Sequence, residues 1–169
     1  MTIRIGANPL GWSNDDLQEI GAHISLETCL QQAKAIGFEG MELGHKFPRE
    51  AKALAQALAP YQLACVGGWH SLSLLERDAE AEFAAAQAHR QLLKAMGTSV
   101  FIVAETSNAI HGLRDVPLSK RPHLAAQDWA QFGARMTRLA DLLRQEGLQL
   151  VYHHHMGTVV ESAADIDAF

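Results

Sequence analysis

The sequence has few cysteines and no long apolar run. Among its 169 residues only Cys29 and Cys65 carry thiols, and both lie in apolar segments. Two such thiols cannot form the disulfide network of a small secreted domain, so we interpret them as reduced core residues of a cytoplasmic protein. Residues 1–5 contain no apolar targeting segment. No apolar run approaches the length of a membrane span, so we expect no membrane partner.

Clusters of basic residues are also absent. Lysine and arginine number 14 against 19 aspartates and glutamates, and the formal net charge is −5. Proteins that bind nucleic acid usually carry a basic surface, so this class is disfavoured. With 48% hydrophobic and 20% charged residues, the composition is that of an ordinary globular protein. We expect one domain over residues 1–169 with a small-molecule substrate, and we leave homo-oligomerisation open.

Short apolar runs alternate with amphipathic segments along the chain. The pattern predicts five strands, at residues 3–7, 40–43, 63–66, 100–104 and 148–153. It predicts the intervening helices at residues 25–36, from Pro48 onward, at 78–96 and at 125–146. This alternation indicates an α/β protein with a parallel sheet and right-handed crossovers.

Two folds with a parallel sheet are consistent with this pattern, an open doubly wound sheet and a closed barrel. The Gly-x-Gly-x-x-Gly motif is missing after the first strand, so an open, doubly wound dinucleotide-binding sheet has no support. Clusters of polar, aromatic and glycine residues instead follow each short apolar run, at residues 6–14, 42–46, 68–71, 104–112 and 152–158. Because parallel barrels build their sites from the carboxyl ends of all strands, this pattern favours a TIM (β/α)8 barrel.

The chain is short for a complete barrel, which has eight strands and typically about 250 residues. The final residues, 161–169, begin a helix at Ser162 and end without a helix C-terminal signal. Because a half-barrel exposes open strand edges, we expect a truncated chain that holds the N-terminal portion of the barrel, about its first five strands. The alternative is a short natural protein with a frayed end.

Three consecutive histidines at the end of the fifth strand are the sharpest local signal. Alternation along a strand places His153 and His155 on one face, toward the barrel axis, and His154 on the other. Neutral imidazoles at a strand end bind divalent metals and act as general bases. We therefore predict catalytic roles for His153 and His155, with His153 also a metal ligand. The alternative is that all three are solvent-exposed loop residues.

Further ionisable residues follow other strands. Glu105 ends the fourth strand, where a carboxylate acts in acid–base chemistry or orients a group that does; a salt-bridged rim residue is the alternative. His70, after the third strand, is a second acid–base candidate. Lys46, after the second strand, could stabilise an enolate or bind hydroxyl groups, although its spacing alone favours an ordinary surface lysine. We treat His23, His45 and His89 as ordinary.

Aromatic and amide residues at the strand ends predict a site for a polyol ring, which offers apolar C–H faces and a hydroxyl rim. Long loops after barrel strands often act as lids or substrate loops, and the loop after Glu105 is long. A tryptophan taken singly is more often a core residue. The predicted substrate-binding residues are Asn8, Trp12, Glu42, Trp69 and Asn108.

Four segments together resemble the myo-inosose-2 dehydratase (2-keto-myo-inositol dehydratase) family of inositol catabolism, within the sugar-isomerase-like barrels. They are Gly6–Trp12, Glu42–Lys46, Ala104–Gly112 with Pro117–Pro122, and Tyr152–Val160. The resemblance implies a hydro-lyase that dehydrates 2-keto-myo-inositol to a trihydroxycyclohexane-1,2-dione, assisted by Mn²⁺ or Co²⁺ and associated with glutathione. Related barrels commonly hold metal with a glutamate where this chain has His153, and further ligands would follow Phe169.

Two other functions stay open. A sugar epimerase or isomerase on the same barrel would share the enolate chemistry but release no water. A half-barrel fragment would bind a metal or a partner without catalysis. The DNA-repair nuclease relatives of these barrels are disfavoured by the acidic charge.

Overall fold

The computed structural model describes residues 3–169 and contains one five-stranded sheet. Its strands are β1 (Gly6–Ala7), β2 (Gly40–Leu43), β3 (Ala64–Leu72), β4 (Val100–Glu105) and β5 (Gln149–Tyr152). They follow one another in the order β1-β2-β3-β4-β5, and the β1–β2 and β2–β3 pairs are parallel. The helices are α1 (Leu26–Ile36), α2 (Ala51–Leu58), α3 (Ala79–Ala85), α4 (Gln87–Ala95), α5 (Trp129–Gln145) and α6 (Ala163–Ala168). The predicted α/β class with a parallel sheet is confirmed.

The chain forms two compact units. The first holds the described residues up to Trp69 together with Ala88–Phe101, and the second holds His70–Gln87 and Ile102–Phe169. Among residues 3–169, no helix combines the length and the apolar composition that a membrane crossing requires. Both cysteines are buried free thiols, as predicted, and burial raises the pKa of Cys29 to about 11.

Local signals set the ends of the helices. In the first unit, the Ser25 side chain accepts the Thr28 N–H at the start of α1, and Gly37 in the left-handed conformation ends it, as predicted. In the second unit, Ser162 and Asp165 form a capping box at the start of α6, which also agrees with prediction.

Each unit buries its own apolar residues. In the first, Met41 and Leu43 of β2 are almost fully buried, as are side chains of α1 and α2 that include Leu30 and Leu54. In the second, α5 buries the stripe of Phe132, Met136, Leu139 and Leu143. Phe169 packs on the rings of Phe132 and Tyr152, with centroids 5.2 and 4.6 Å apart.

Several predicted boundaries were wrong. The single helix at 78–96 is two helices, because a non-helical residue, Ala86, separates α3 of the second unit from α4 of the first. Helix α2 begins after Glu50 rather than at Pro48, because the Glu50 carboxylate accepts the N–H groups of residues 52 and 53. The helix predicted at residues 125–146 is α5, which begins at Trp129 rather than near residue 125.

The strand boundaries also differ from prediction. Strand β3 continues through its glycine pair to Leu72, and the absence of a side chain at Gly68 leaves the space that the ring of His89 occupies. Trp69 and His70 therefore lie inside the strand rather than after it. Strand β5 ends at Tyr152, so His153 follows it. Strand β1 begins at Gly6, and the first two residues of the sequence lie outside the described part.

A matched pair of glycine substitutions tests the packing. A Cβ added at Gly40 would lie 2.3 Å from Cγ1 of Val66, whereas one added at Gly133 of α5 meets nothing within 4 Å. We expect Gly40→Ala to destabilise the protein by about 1–3 kcal/mol through overpacking. Gly133→Ala should stabilise it by about 0.5–1 kcal/mol through helix propensity. Urea unfolding measures both, and Val66→Ala should recover part of the Gly40→Ala loss. Shifts of the same sign would contradict this packing.

Candidate functional site

Polar groups of the first unit lie where β1 and β2 end. Asn8 follows β1, and its side chain accepts the Leu10 N–H at 2.8 Å and hydrogen-bonds to Glu42. Burial raises the pKa of the Glu42 carboxyl above its ordinary value, the Asn8 hydrogen bond opposes this, and the negative Asp15 adds to it. The structure therefore brings Asn8 and Glu42 together, two of the residues predicted to bind substrate.

The Lys46 ammonium is engaged with the backbone. It donates to the carbonyl oxygens of Gly21 at 2.7 Å, Ile24 at 2.6 Å and Ala22 at 3.3 Å. Three acceptors match the three N–H donors of an ammonium. In this structure Lys46 therefore holds the loop between β1 and α1, and stabilising an enolate would require it to release these bonds.

The two predicted ring-binding tryptophans lie in different surroundings. Trp12 is half-buried and donates its indole N–H to the side-chain oxygen of Gln32 in α1, at 2.7 Å. Trp69 is half-buried within β3. Neither is a fully buried core residue, which leaves part of each ring accessible.

His70 forms a buried pair with Glu82 in the second unit. The His70 Nε2 lies 3.0 Å from a carboxylate oxygen of Glu82, whose other oxygen accepts the Ser73 N–H at 3.1 Å. Burial raises the pKa of the Glu82 carboxyl, but the hydrogen bonds from His70 and Ser73 and the charge of Arg77 outweigh it and leave the pKa below its ordinary value. An ionised Glu82 accepts the Nε2–H of His70, so the neutral ring carries its lone pair on Nδ1.

Glu105 is fully buried and holds two loop segments. One oxygen accepts the Leu74 N–H at 2.6 Å, and the other accepts the N–H of Ser107 at 2.9 Å and its hydroxyl. Burial raises the pKa of this carboxyl, although the hydrogen bonds oppose the shift. Its backbone N–H donates to the hydroxyl of Tyr152, whose pKa burial raises to about 12. This geometry suits a carboxylate that positions other groups.

Three histidines follow β5, and His111 of the loop after β4 packs against one of them. The rings of His153 and His155 have centroids 5.7 Å apart, and His153 and His154 are 6.1 Å apart. His111 meets His155 edge-to-face at 4.8 Å. Burial, together with the neighbouring histidines, lowers the pKa of His153 and favours its neutral form. The Nδ1 of His155 donates to the Met156 carbonyl at 3.0 Å, which leaves the lone pair of the neutral ring on Nε2.

The long loop after Glu105 is attached to the segment after β5. The Ile110 N–H donates to the Gly157 carbonyl at 2.9 Å, and Arg121 forms an ion pair with Asp165 at 2.8 Å. Gly157 has φ +72°, and a side chain there would meet the His111 backbone nitrogen at 2.9 Å. Asn108, predicted to bind substrate, is exposed in this loop.

A metal site is incomplete in the part of the chain that the structure describes. Residues 3–169 contain no group of three or more His, Cys, Asp or Glu side chains placed to hold a metal ion. His153 and His155 offer two imidazoles, whereas a bound transition metal commonly takes about three or four protein ligands. The described residues therefore do not make a metal site by themselves.

The sequence does not predict the roles of three residues of the site, Glu82, Asp15 and His111. Glu82 lies in an alanine-rich helix, and nothing in its local sequence marks it as the partner of His70. Asp15 is hydrogen-bonded to His45 at 2.7 Å across 30 residues of sequence, so no spacing rule predicts the pair. His111 was visible only as one polar residue of a long loop.

The family model described as a xylose isomerase-like TIM barrel matches residues 30–169. The chain belongs to the xylose isomerase-like TIM barrel family. Solved structures agree with this fold. The probable 3-DHS dehydratase AsbF from Bacillus anthracis has a TM-score of 0.64 at 15% identity, covering 98% of this chain and 58% of that one. A xylose isomerase-like TIM barrel protein from Mycobacterium smegmatis in complex with magnesium has a TM-score of 0.64 at 18% identity, covering 98% and 59%.

Curated relatives of this xylose isomerase-like chain are more similar in sequence. The rhizopine catabolism protein MocC of Rhizobium meliloti is 42% identical over 168 residues, which cover 99% of this chain and 51% of that protein. The inosose dehydratase of Geobacillus thermodenitrificans is 37% identical over 166 residues, which cover 98% and 56%. The predicted resemblance to inosose dehydratases is confirmed. The chain spans about half the length of the curated relatives it matches.

Replacing Glu105 tests its positioning role in this family member. In Glu105→Gln an amide N–H₂ replaces one of the two acceptor oxygens and faces a backbone donor. We expect a loss of about 2–3 kcal/mol in unfolding free energy, measured by urea denaturation. The control is Glu80→Gln, which removes a half-exposed ion pair with Arg138 and should cost less than about 1 kcal/mol. Equal losses for the two variants would contradict the positioning role.

Proposed function

We propose that this chain carries part of the active site of a hydro-lyase that removes water from 2-keto-myo-inositol, a cyclic polyol ketone. The observation that carries the proposal is the similarity of nearly the whole chain to proteins named inosose dehydratase, at 36–38% identity. Because the chain covers about 56% of those relatives, the activity is proposed for the longest natural polypeptide that contains it. A cytoplasmic location is part of this proposal.

The reaction requires a base and a proton donor. A hydrogen on the carbon beside a ketone is acidic, and a base that removes it leaves an enolate. The enolate electrons then expel the hydroxyl group on the next carbon, which takes a proton and departs as water. The resulting enol becomes the trihydroxycyclohexane-1,2-dione by moving one proton from oxygen to carbon.

Histidines of the second unit suit the role of the base. His155 carries its lone pair on Nε2 because Nδ1 donates to a carbonyl, and the lowered pKa of His153 keeps that ring neutral. His70 is a further candidate, since the Glu82 carboxylate accepts its Nε2–H and so fixes its tautomer. The hydrogen bonds of Glu105 favour a positioning role for this carboxylate over direct proton transfer.

Residues of the first unit suit substrate binding. Asn8 and Glu42 are hydrogen-bonded to each other and offer polar atoms to ring hydroxyls, and Trp12 offers a partly accessible ring. Trp69 and Asn108 complete the proposed substrate-binding set. Lys46 joins it only if the loop at residues 21–24 releases its ammonium.

A divalent metal, Mn²⁺ or Co²⁺, belongs to the proposal through the family resemblance, with His153 as its ligand in this chain; glutathione has no support beyond that resemblance. A bound metal would supply polarisation of the ketone. Support for a metal comes from the magnesium complex of the Mycobacterium smegmatis relative in fold. Residues 3–169 contain no group of three or more His, Cys, Asp or Glu side chains placed to complete such a site.

Mass spectrometry of the product tests the reaction. We expect the longest natural polypeptide containing this chain to convert 2-keto-myo-inositol into a product lighter by one water, and a chelator to abolish the conversion. Restoring Mn²⁺ or Co²⁺ after chelation is the control. A product of unchanged mass would identify an epimerase or isomerase, and full activity after chelation would remove the metal from the proposal.

Substitution of the three histidines after β5 separates their roles. We expect His153→Ala and His155→Ala to lower kcat by about 10²-fold or more, as the loss of a ligand or base commonly does. His154→Ala should have a mild effect, because it removes neither the proposed base nor the proposed metal ligand; the alternation that predicts the opposite face for His154 extends in the structure only to Tyr152, where β5 ends. Steady-state kinetics decide the matter. If His154→Ala is the most damaged variant, the assignment of faces is reversed and Tyr152 becomes the residue to test.

The identity to MocC, which exceeds that to the inosose dehydratases above, favours a second candidate function in rhizopine catabolism. The same assay with rhizopine beside 2-keto-myo-inositol separates the two. Consumption of rhizopine alone would support the second candidate.

A further inference from the structure

We propose that His45 is a catalytic residue that donates the proton to the departing hydroxyl group, and that Asp15 is the positioning residue that holds it. This inference rests on the proposed dehydration and supplies the proton donor that the reaction requires. The sequence marks His45 only by its place after β2 within the segment Glu42–Lys46, and by sequence alone we interpret it as an ordinary histidine.

The contact between the two residues fixes the histidine ring. The Nδ1 of His45 donates to an Asp15 carboxylate oxygen at 2.7 Å, and the same oxygen accepts the His45 backbone N–H at 3.0 Å. The ring is therefore anchored at both its backbone and its side chain. Because Nδ1 faces the carboxylate, Nε2 is the ring atom left to exchange protons with a substrate.

The surroundings of the pair suit proton transfer. The side chain of His45 is 21% exposed, so it is accessible to a substrate and to solvent while most of it is held by protein. Gly44 makes room for the carboxylate, because a Cβ at this position would lie 3.1 Å from one Asp15 oxygen and 2.7 Å from Pro9. His45 follows β2, the strand that carries Glu42, with Gly44 between them, and parallel barrels place their sites at such ends.

Attachment of the loop between β1 and α1 does not by itself require an imidazole at position 45. Lys46 already binds the loop between β1 and α1 through three carbonyl oxygens. The Asp15 carboxylate also holds the His45 backbone, a bond that any residue at position 45 would make. A loop contact alone needs only one N–H donor from the side chain, whereas a proton donor needs the second ring nitrogen.

The proposed step balances without another reactant. The proton donor is the protonated ring, whose Nδ1–H the Asp15 carboxylate accepts. As the carbon–oxygen bond breaks, its electron pair leaves with the hydroxyl oxygen, and that oxygen takes the Nε2 proton to form water. The His45 ring is left neutral and regains a proton from solvent. The base releases to solvent the proton that it took from carbon, so the protons balance.

A substitution that keeps the loop contact and removes the proton donor tests this role. In His45→Asn the amide N–H₂ reproduces the donor at Nδ1, and nothing replaces Nε2. We expect water elimination from 2-keto-myo-inositol to fall by about 10²-fold or more. Elimination of fluoride, from the analogue with fluorine in place of the departing hydroxyl, should stay near the wild-type rate because fluoride leaves without a proton.

Two further variants complete the experiment. Asp15→Asn should show the same selective loss, with recovery in Asp15→Glu, because the positioning residue acts through His45. His23→Asn, at an exposed histidine of the same loop region, should leave both eliminations unchanged. The experiment uses the longest natural polypeptide that contains the chain, and fluoride release also reports that each variant is folded.

The outcomes are distinct. Equal losses of water and fluoride elimination in His45→Asn, or no loss of either, would overturn the catalytic role while the proposed dehydration stands. A wild-type protein that releases no water from 2-keto-myo-inositol would overturn the proposed function and this role together.

Discussion

Charged side chains that bind backbone groups at the strand ends are the constraint on which the rest of the structure depends. A loop that folds back over a strand end leaves N–H and C=O groups without strand partners, and burying them unpaired costs about 1–3 kcal/mol each. In the second unit, Glu105 and Glu82 accept N–H groups at residues 73, 74 and 107, and Arg135 donates to the Leu74 carbonyl at 2.6 Å. In the first unit, Lys46 has the same function.

This use of charge divides the polar residues into two groups. Residues whose charges face backbone atoms, such as Glu105 and Lys46, determine where the loops lie. Histidines whose tautomers are set by a neighbour, such as His155 and His45, keep a ring nitrogen suited to moving a proton. The proposed chemistry belongs to the second group, and it depends on the first group for the position of each ring.

The fold could be predicted from the sequence where local signals decide it. Strand β2 and helix α1 have short-range determinants, namely a compact apolar run and a serine cap with a closing glycine, and both were located correctly. The break at Ala86 lies next to the point where the chain passes from the second unit to the first. Strand β3 continues to Leu72 past Gly68, beside which the His89 ring lies. Periodicity within one segment does not contain that information.

The candidate site could likewise be predicted only in part from the sequence. Sequence position alone placed Glu42, Glu105 and the histidine run at or next to strand ends, whereas His70, predicted after β3, lies inside it. Their partners lie 12 residues away for His70 and Glu82, 30 for Asp15 and His45, and 31 for Glu105 and Leu74, beyond any local pattern. Spacing therefore finds residues able to do chemistry, whereas the assignment of holding and reacting roles needs the hydrogen bonds.

The most direct test of the account is a proton NMR time course of 2-keto-myo-inositol in D₂O with the longest natural polypeptide that contains this chain. If the proposed dehydration occurs, we expect the signal of the hydrogen beside the ketone to disappear while the signals of the dione grow at the same rate. Exchange of that hydrogen for deuterium with the ring oxygens all retained would contradict it and identify an enzyme that forms the enolate without expelling water.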